Sequence, residues 1–259
     1  MTVLRREKCR RWQGEQPEIA NEVTQMNFTD ALSELSRRGT EQNRRVYRRH
    51  GAREPLFGVS FAEIGTLAKR IRRDHALAEA LWASGNFDAR NLAPMIADPG
   101  AMTRRDLDRW VKQLDNYVNT DSFARHLASE SAHARALATK WRGARDEWTA
   151  RAGWMLVAIL AMREEVLEDD EMSAILTEIE EGISVARNRV RDAMNSALIA
   201  IGMRGGAIER AAVGAAKRIG RVEVDHGETG CKTPDAAAYI AKARAHLAKR
   251  RAGARGKSR

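Results

Sequence analysis

Thr103–His126, TRRDLDRWVKQLDNYVNTDSFARH, reads as helix, polar junction, helix, and that alternation decides the fold. Thr103 and Asp106 make a capping-box-like start, with Asp in place of the usual Glu or Gln. Leu107, Trp110, Val111 and Leu114 then fall at spacings of three and four, the apolar stripe of one helix face. The junction sets Asp115 and Asp121 on either side of Tyr117-Val118-Asn119-Thr120, and Asn119 or Thr120 can cap the helix that follows. Capping and packing explain each of these residues singly. A functional reading depends on the rest of the chain.

The same pattern recurs on both sides. Ser60 with Glu63 is likewise capping-box-like, and Ser131 and Asp146 can cap further helices. Apolar residues keep the helical period through Ile64, Leu67, Ala68 and Ile71, through Leu77, Leu81 and Trp82, and through Leu92, Met95 and Ile96. Helices are expected at about 28–38, 41–50, 60–74, 76–84, 87–98, 104–114, 120–129, 132–140, 146–162, 170–181, 183–201, 206–219 and 234–250, with strand signals nearly absent. Pairs advance by roughly 35–45 residues, the unit of HEAT-like repeats. The expected fold is an all-α, α–α solenoid of antiparallel helix pairs with a basic concave face; a globular helical bundle is the alternative.

The chain has 259 residues, 43% of them apolar, enough for a substantial core. Its 45 Lys and Arg against 35 Asp and Glu give a formal charge of +10, which favours a polyanionic partner. Nucleic acid leads, since no run approaches the roughly 18 apolar residues that span a bilayer. Cys9 and Cys231 lie far apart without a C-x-x-C, which disfavours structural zinc or a disulfide framework and fits a reducing cytoplasm. The expected organisation is a flexible basic arm over 1–27, a helical repeat domain over 28–220, a loop and helix over 221–248 packed on it, and a basic disordered tail over 249–259. A cytoplasmic, nucleoid-associated monomer is expected.

Basic side chains cluster on successive helices: Arg44, Arg45, Arg48 and Arg49, then Lys69, Arg70, Arg72 and Arg73, then Arg142, Arg145 and Arg151, then Arg187, Arg189 and Arg191. Glu164–Glu181 is acidic by contrast. One such cluster is a solvated face; four in succession suggest a groove that tracks phosphates. Trp82, Trp110 and Trp154 sit at core spacing, whereas Trp141 and Trp148 lie among arginines, where core packing or contact with a sugar or base are both open.

These residues carry a resemblance. Phe57-Gly58-Val59, Leu67-Ala68-Lys69, Leu81-Trp82 with Asp88-Ala89-Arg90, Leu114-Asp115-Asn116-Tyr117 with Thr120-Asp121-Ser122-Phe123, and Trp148-x-x-Arg151-Ala152 stand in the order of the DNA alkylation repair family. The chain resembles its HEAT-like alkylpurine DNA glycosylases of the AlkD type over about residues 44–220. The resemblance implies a superhelix that binds duplex DNA and excises cationic N3- or N7-alkylpurines without a cofactor or metal. It assigns the motif aspartate to Asp121, the motif aromatic to Tyr117 and the following arginine to Arg151; Trp148, Arg145, Arg187, Arg191, Arg48 and Lys69 are the further DNA-binding candidates.

The chemistry is coherent on its own. A cationic alkylpurine is already a good leaving group, and a carboxylate beside the sugar stabilises the charge that develops on bond cleavage. Tyr117 would press an electron-rich ring on sugar or lesion, and Arg151 would hold a flanking phosphate. Two departures stand out: Tyr117 replaces the motif tryptophan, and Asn195 and Ser196 stand where catalytic members carry a second one. A non-catalytic DNA-binding relative and a helical-repeat adaptor are the alternatives. The loop from Gly220 to Asp235 holds Asp225, His226, Glu228 and Cys231, which read either as a metal site or Cys–His pair, or as groups that satisfy backbone and dock a last helix capped by Thr233.

Overall fold

The computed structural model describes residues 26–163 and 166–256, with side chains as far as residue 250. The described residues form thirteen α-helices, one 3-10 turn and no strand: α1 Phe28–Arg38, α2 Glu41–Arg49, α3 Phe61–Ile71, α4 His75–Ala83, α5 Phe87–Ile96, α6 Arg104–Val111, α7 Tyr117–His126, the turn Ala128–Glu130, α8 Ala134–Arg142, α9 Glu147–Ala161, α10 Asp169–Gly182, α11 Asn188–Gly202, α12 Gly206–Ile219 and α13 Ala236–Gly256. Helix starts follow local chemistry: Thr40, Ser60, Asp74, Asn86, Thr103 and Asp146 each accept a backbone N–H of the first turn through a side-chain oxygen.

Helices pack in two rows. An inner row runs α3, α5, α7, α9, α11, α13, each against the next, while α4, α8, α10 and α12 back it as the outer members of pairs. One core joins the rows. Trp82 and Trp110 stack with ring centroids 4.2 Å apart, and Phe123 of α7 meets Trp82 at 5.6 Å and Trp141 at 5.8 Å, so α4, α6, α7 and α8 share an aromatic spine. Trp141 is thus core, with its indole N–H donating to Asp108 Oδ1. Gly153 lets α9 cross α8 closely, since a Cβ there would lie 2.1 Å from the Arg142 backbone nitrogen.

Three expectations need correction. α7 begins at Tyr117 with Asn116 as its cap; Asn119 and Thr120 are buried within the first turn, where Asn119 Nδ2 donates to the Phe87 carbonyl on α5 and Thr120 Oγ1 to the Asn116 carbonyl. α13 starts after Asp235, whose Oδ1 accepts the Ala238 N–H, while Thr233 pairs instead with His226. α13 also runs to Gly256, into the stretch expected to be disordered, because alanines and long straight-chain cations are strong helix formers. The expected basic arm lies, apart from Met26 and Asn27, outside the described residues.

Candidate nucleic-acid interface

A ladder of buried polar side chains follows the inner row and fixes its geometry. At one end the Asp88 carboxylate on α5 accepts the N–H groups of Phe57, Gly58 and Val59 at 2.6, 3.1 and 2.8 Å, pinning the loop before α3. Gly58 has φ +82° there, and a Cβ would meet the Thr40 carbonyl oxygen at 2.6 Å. Burial pushes the Asp88 carboxyl up, against the pull of those three donors.

The centre of the ladder is Arg151 on α9. Its Nε and Nη2 donate to the two oxygens of Asp121 on α7, both at 2.8 Å, and its Nη1 donates to Asp192 on α11 at 2.8 Å and to the Arg189 carbonyl at 2.9 Å. Arg151 is 3% exposed. Burial alone would lower its pKa, but the two carboxylates outweigh that and hold it above the ordinary arginine value. The expectation that Arg151 grips a phosphate is therefore corrected: four of its five N–H groups are spent inside the protein, and the buried side chain clamps three helices.

Asp121 differs from its partner. Its side chain is 29% exposed and lines an open cleft of about 540 Å³ between α2, α3, α5 and α7. With Asp192 it contributes two negative charges to one arginine, so the trio keeps a net charge of −1. Tyr117, one turn earlier, has its hydroxyl hydrogen-bonded to His50 Nδ1, and the guanidinium carbons of Arg189 and Arg151 lie 4.6 and 5.3 Å from its ring centroid. Burial raises the Tyr117 pKa, the two arginines opposing it. For His50, burial first, then the charges of Arg189, Arg49 and His226, lower the pKa. Sequence reasoning singled out neither His50 nor Asp192, since nothing in the local pattern shows that residues 67 and 71 positions away from Tyr117 and Asp121 converge on them.

The remaining candidates scatter. Arg48 is exposed and paired with Glu54 at 2.8 Å and Glu41 at 3.4 Å; Lys69 and Arg187 are exposed on α3 and at the start of α11. Trp148 is half-buried against the core. Arg145 lines a separate depression beside Lys112 and Lys140. Arg191 is a correction: it donates to the carbonyls of Glu223 and Ala186 at 2.8 and 2.9 Å, so it anchors the segment after α12 rather than presenting charge.

That segment, residues 220–235, is a strap. Asn188 and Asp225 exchange two hydrogen bonds of 2.7 Å, and Asn195, 1% exposed, donates to the Pro234 carbonyl at 3.1 Å. The strap therefore covers α11 at the place where the resemblance puts a second tryptophan. Its far side reaches α2, where a Cβ on Gly227 would lie 3.9 Å from the Arg49 carbonyl oxygen. Asp225 Oδ1 accepts the Gly227 N–H, Thr229 Oγ1 donates to the His226 carbonyl, and His226 Nε2 bonds Thr233. Among the described residues no group of three or more His, Cys, Asp or Glu is placed to hold a metal ion, and no helix is long and apolar enough to cross a membrane.

Comparisons with known proteins agree with the fold. Two uncharacterized proteins, from Listeria innocua and Listeria monocytogenes, are 29% and 28% identical over 227 residues, covering 85% of this chain and 98% of each relative. A solved structure, described as a new family of proteins related to the HEAT-like repeat DNA glycosylases with affinity for branched DNA structures, superposes with a TM-score of 0.78 at 33% identity, over 84% of this chain and 93% of that one. The family profile described as DNA alkylation repair enzyme matches residues 31–247. With its paired helices in two rows and that match over most of its length, the chain belongs to the DNA alkylation repair enzyme family and has the HEAT-like fold of the related glycosylases.

Proposed function

We propose that this protein binds DNA at branch points and other departures from straight duplex. The observation that carries this reading is the strap, which spans from α11 to α2 across the inner row. A straight duplex lying along that row would meet it, whereas a branched DNA can offer an arm or an unpaired strand to the cleft between α2, α3, α5 and α7, which no residue of the strap lines. Exposed Arg45 and Arg49 on α2 form no ion pair among the described residues and leave charge for phosphates at that end. The solved relative with affinity for branched DNA supports the same preference.

The test is fluorescence anisotropy of a three-way junction against a linear duplex of equal length at one fixed salt concentration. The junction is expected to bind at least tenfold tighter. The double variant Asn188→Ala, Arg191→Ala releases the strap and is expected to raise linear-duplex affinity, narrowing the ratio. Equal affinity of the unaltered protein for both DNAs defeats the proposal.

A second reading, hydrolysis of the N-glycosidic bond of cationic alkylpurines, is favoured by one observation: the Asp121 carboxylate is open to the cleft beside Tyr117. The net negative trio would stabilise positive charge developing on a deoxyribose at that edge, with Arg151 holding the carboxylate in place. Duplex carrying N7-methylguanine should then yield alkali-labile abasic sites, and Asp121→Asn should lower the yield by about 100-fold or more. No abasic product from the unaltered protein leaves binding as the whole function.

A further inference from the structure

Many cations on the outward-facing helices are spent on neighbouring acids. Arg109 of α6 pairs with Glu79 of α4, Arg135 and Arg142 of α8 with Glu171 and Glu178 of α10, Lys140 of α8 with Asp108 of α6, and Arg218 of α12 with Glu180 of α10. That is the self-compensated charge of a solvated face. α13 departs from it. Its 21 residues hold six Lys and Arg and no Asp or Glu, and of the four whose side chains are described Arg244 alone is paired, with Glu209 of α12. Lys242, Lys249 and Arg250 are exposed and in no ion pair among the described residues. The helix is nonetheless firmly placed. Ile240, 0% exposed, packs so closely on α11 that a Cβ on Gly202 would lie 2.4 Å from its Cδ1, and Arg244 Nε donates to Glu209 at 3.0 Å. Those contacts turn Lys242, His246 and Lys249, at spacings of four and three, to solvent as one flank, with Tyr239, 51% exposed, a turn ahead. Ala238, Ala241, Ala245 and Ala248 are exposed beside that flank, so nothing bulky keeps a ligand off the helix.

We propose that this face of α13 binds the sugar-phosphate backbone of a second DNA arm. The inference rests on the branched-DNA reading and names the surface that takes the arm the cleft does not. α13 leaves the strap at its α11 base, where Asn195 holds Pro234, and no residue of α13 lines the cleft, so a junction can set one arm at each. Lys242 and Lys249 stand about 10 Å apart along the helix, at about 1.5 Å per residue, which spans about three phosphate steps of one strand. Tyr239 adds a hydroxyl donor, and the alanines carry no group that reads a base edge, so the contact is independent of sequence. An anionic membrane fits less well. Ile240 is buried and Leu247 half-buried against the protein, which leaves no large aliphatic side chain on the exposed face to insert into lipid.

The experiment measures the affinity of the full chain for a three-way junction between about 50 and about 200 mM salt, where each phosphate neutralised steepens log K against log salt by about 0.9. The triple variant Lys242→Gln, Lys249→Gln, Arg250→Gln is expected to lower that slope by about 2 to 3 and to weaken junction binding about tenfold or more at the lower salt. A second triple variant, Arg109→Gln, Arg135→Gln, Arg218→Gln, removes the same charge from paired side chains and is expected to change the slope by less than about 1. Circular dichroism checks the helical content of both. Equal slope losses in the two variants mean that net charge alone matters, and overturn the α13 surface. An unchanged slope in the first variant, with the unaltered protein still preferring junction to linear duplex, overturns it too and leaves the branched-DNA reading standing. Equal affinity of the unaltered protein for junction and duplex defeats that reading instead, and the first variant's slope on the duplex then decides. A fall of about 2 to 3 upholds α13 as a backbone-binding surface, and no fall overturns it. Binding to phosphatidylserine vesicles that the first variant loses, without any change in its DNA slope, assigns the helix to lipid and also overturns the proposal. No DNA binding at any salt defeats both.

Discussion

Between α5 and α7 the inner row leaves a cleft open, with Arg125 exposed and in no ion pair among the described residues and Phe61 half in solvent; between α9 and α11 Arg151 has spent four of its five N–H groups on two aspartates and a carbonyl, and the strap covers Asn195. Both regions draw on the same residue types, Asn, Asp and Arg on consecutive inner helices. The difference is whether each polar group finds its complement within the chain. Where it does, the residue serves the scaffold, however functional its sequence motif looks. Where it does not, the site has something left to offer a ligand.

The largest expected effect tests the spent end. Arg151→Met keeps most of the apolar stem but leaves Asp121 and Asp192 facing one another without the cation between them. Removing one member of a buried ion-pair network costs about 3–5 kcal/mol, a fall in melting temperature on the order of 10 °C for a chain of this size. Phe61→Ala at the open end removes a ring that is 51% exposed and should cost far less. Thermal unfolding followed by circular dichroism compares the two, and equal losses would break the distinction between scaffold and site. The strap and α13 variants described above follow in size, since they act on DNA affinity and its salt dependence rather than on folding.

The helical pattern was legible because its causes are local. The Thr103 and Asp106 capping box, the Ser60 cap and the three-and-four spacing of Leu107, Trp110 and Val111 are all realised. The motif Asp121, Tyr117 and Arg151 does converge in space, but the distances reassign Arg151 from phosphate contact to clamp. Asp192 and His50 complete that centre through contacts more than forty residues apart, which no local spacing encodes. The partners of Arg191 and Asn195 were illegible for the same reason: the Glu223 and Pro234 carbonyls are backbone groups of a loop whose path depends on the whole fold. A cluster of arginines in sequence thus reports charge but not where the guanidinium groups end.

The smallest effect concerns His50, which joins the open cleft to the clamp through Tyr117. Burial and the positive charges of Arg189, Arg49 and His226 keep its folded pKa below the ordinary value of about 6.5. The unfolded chain therefore binds this proton more readily than the folded one. Stability from this source is full above pH about 6.5 and declines as pH falls from there towards the lowered folded value. His126, lowered by burial and by Arg125, acts in the same direction. His50→Gln should then flatten, without abolishing, the loss of denaturant midpoint between pH 7 and pH 5. An unchanged slope would mean that the Tyr117 hydroxyl accepts a protonated His50 at little cost, and that the cleft end of the row is better hydrated than its lining of Val46, Met95 and Val118 suggests.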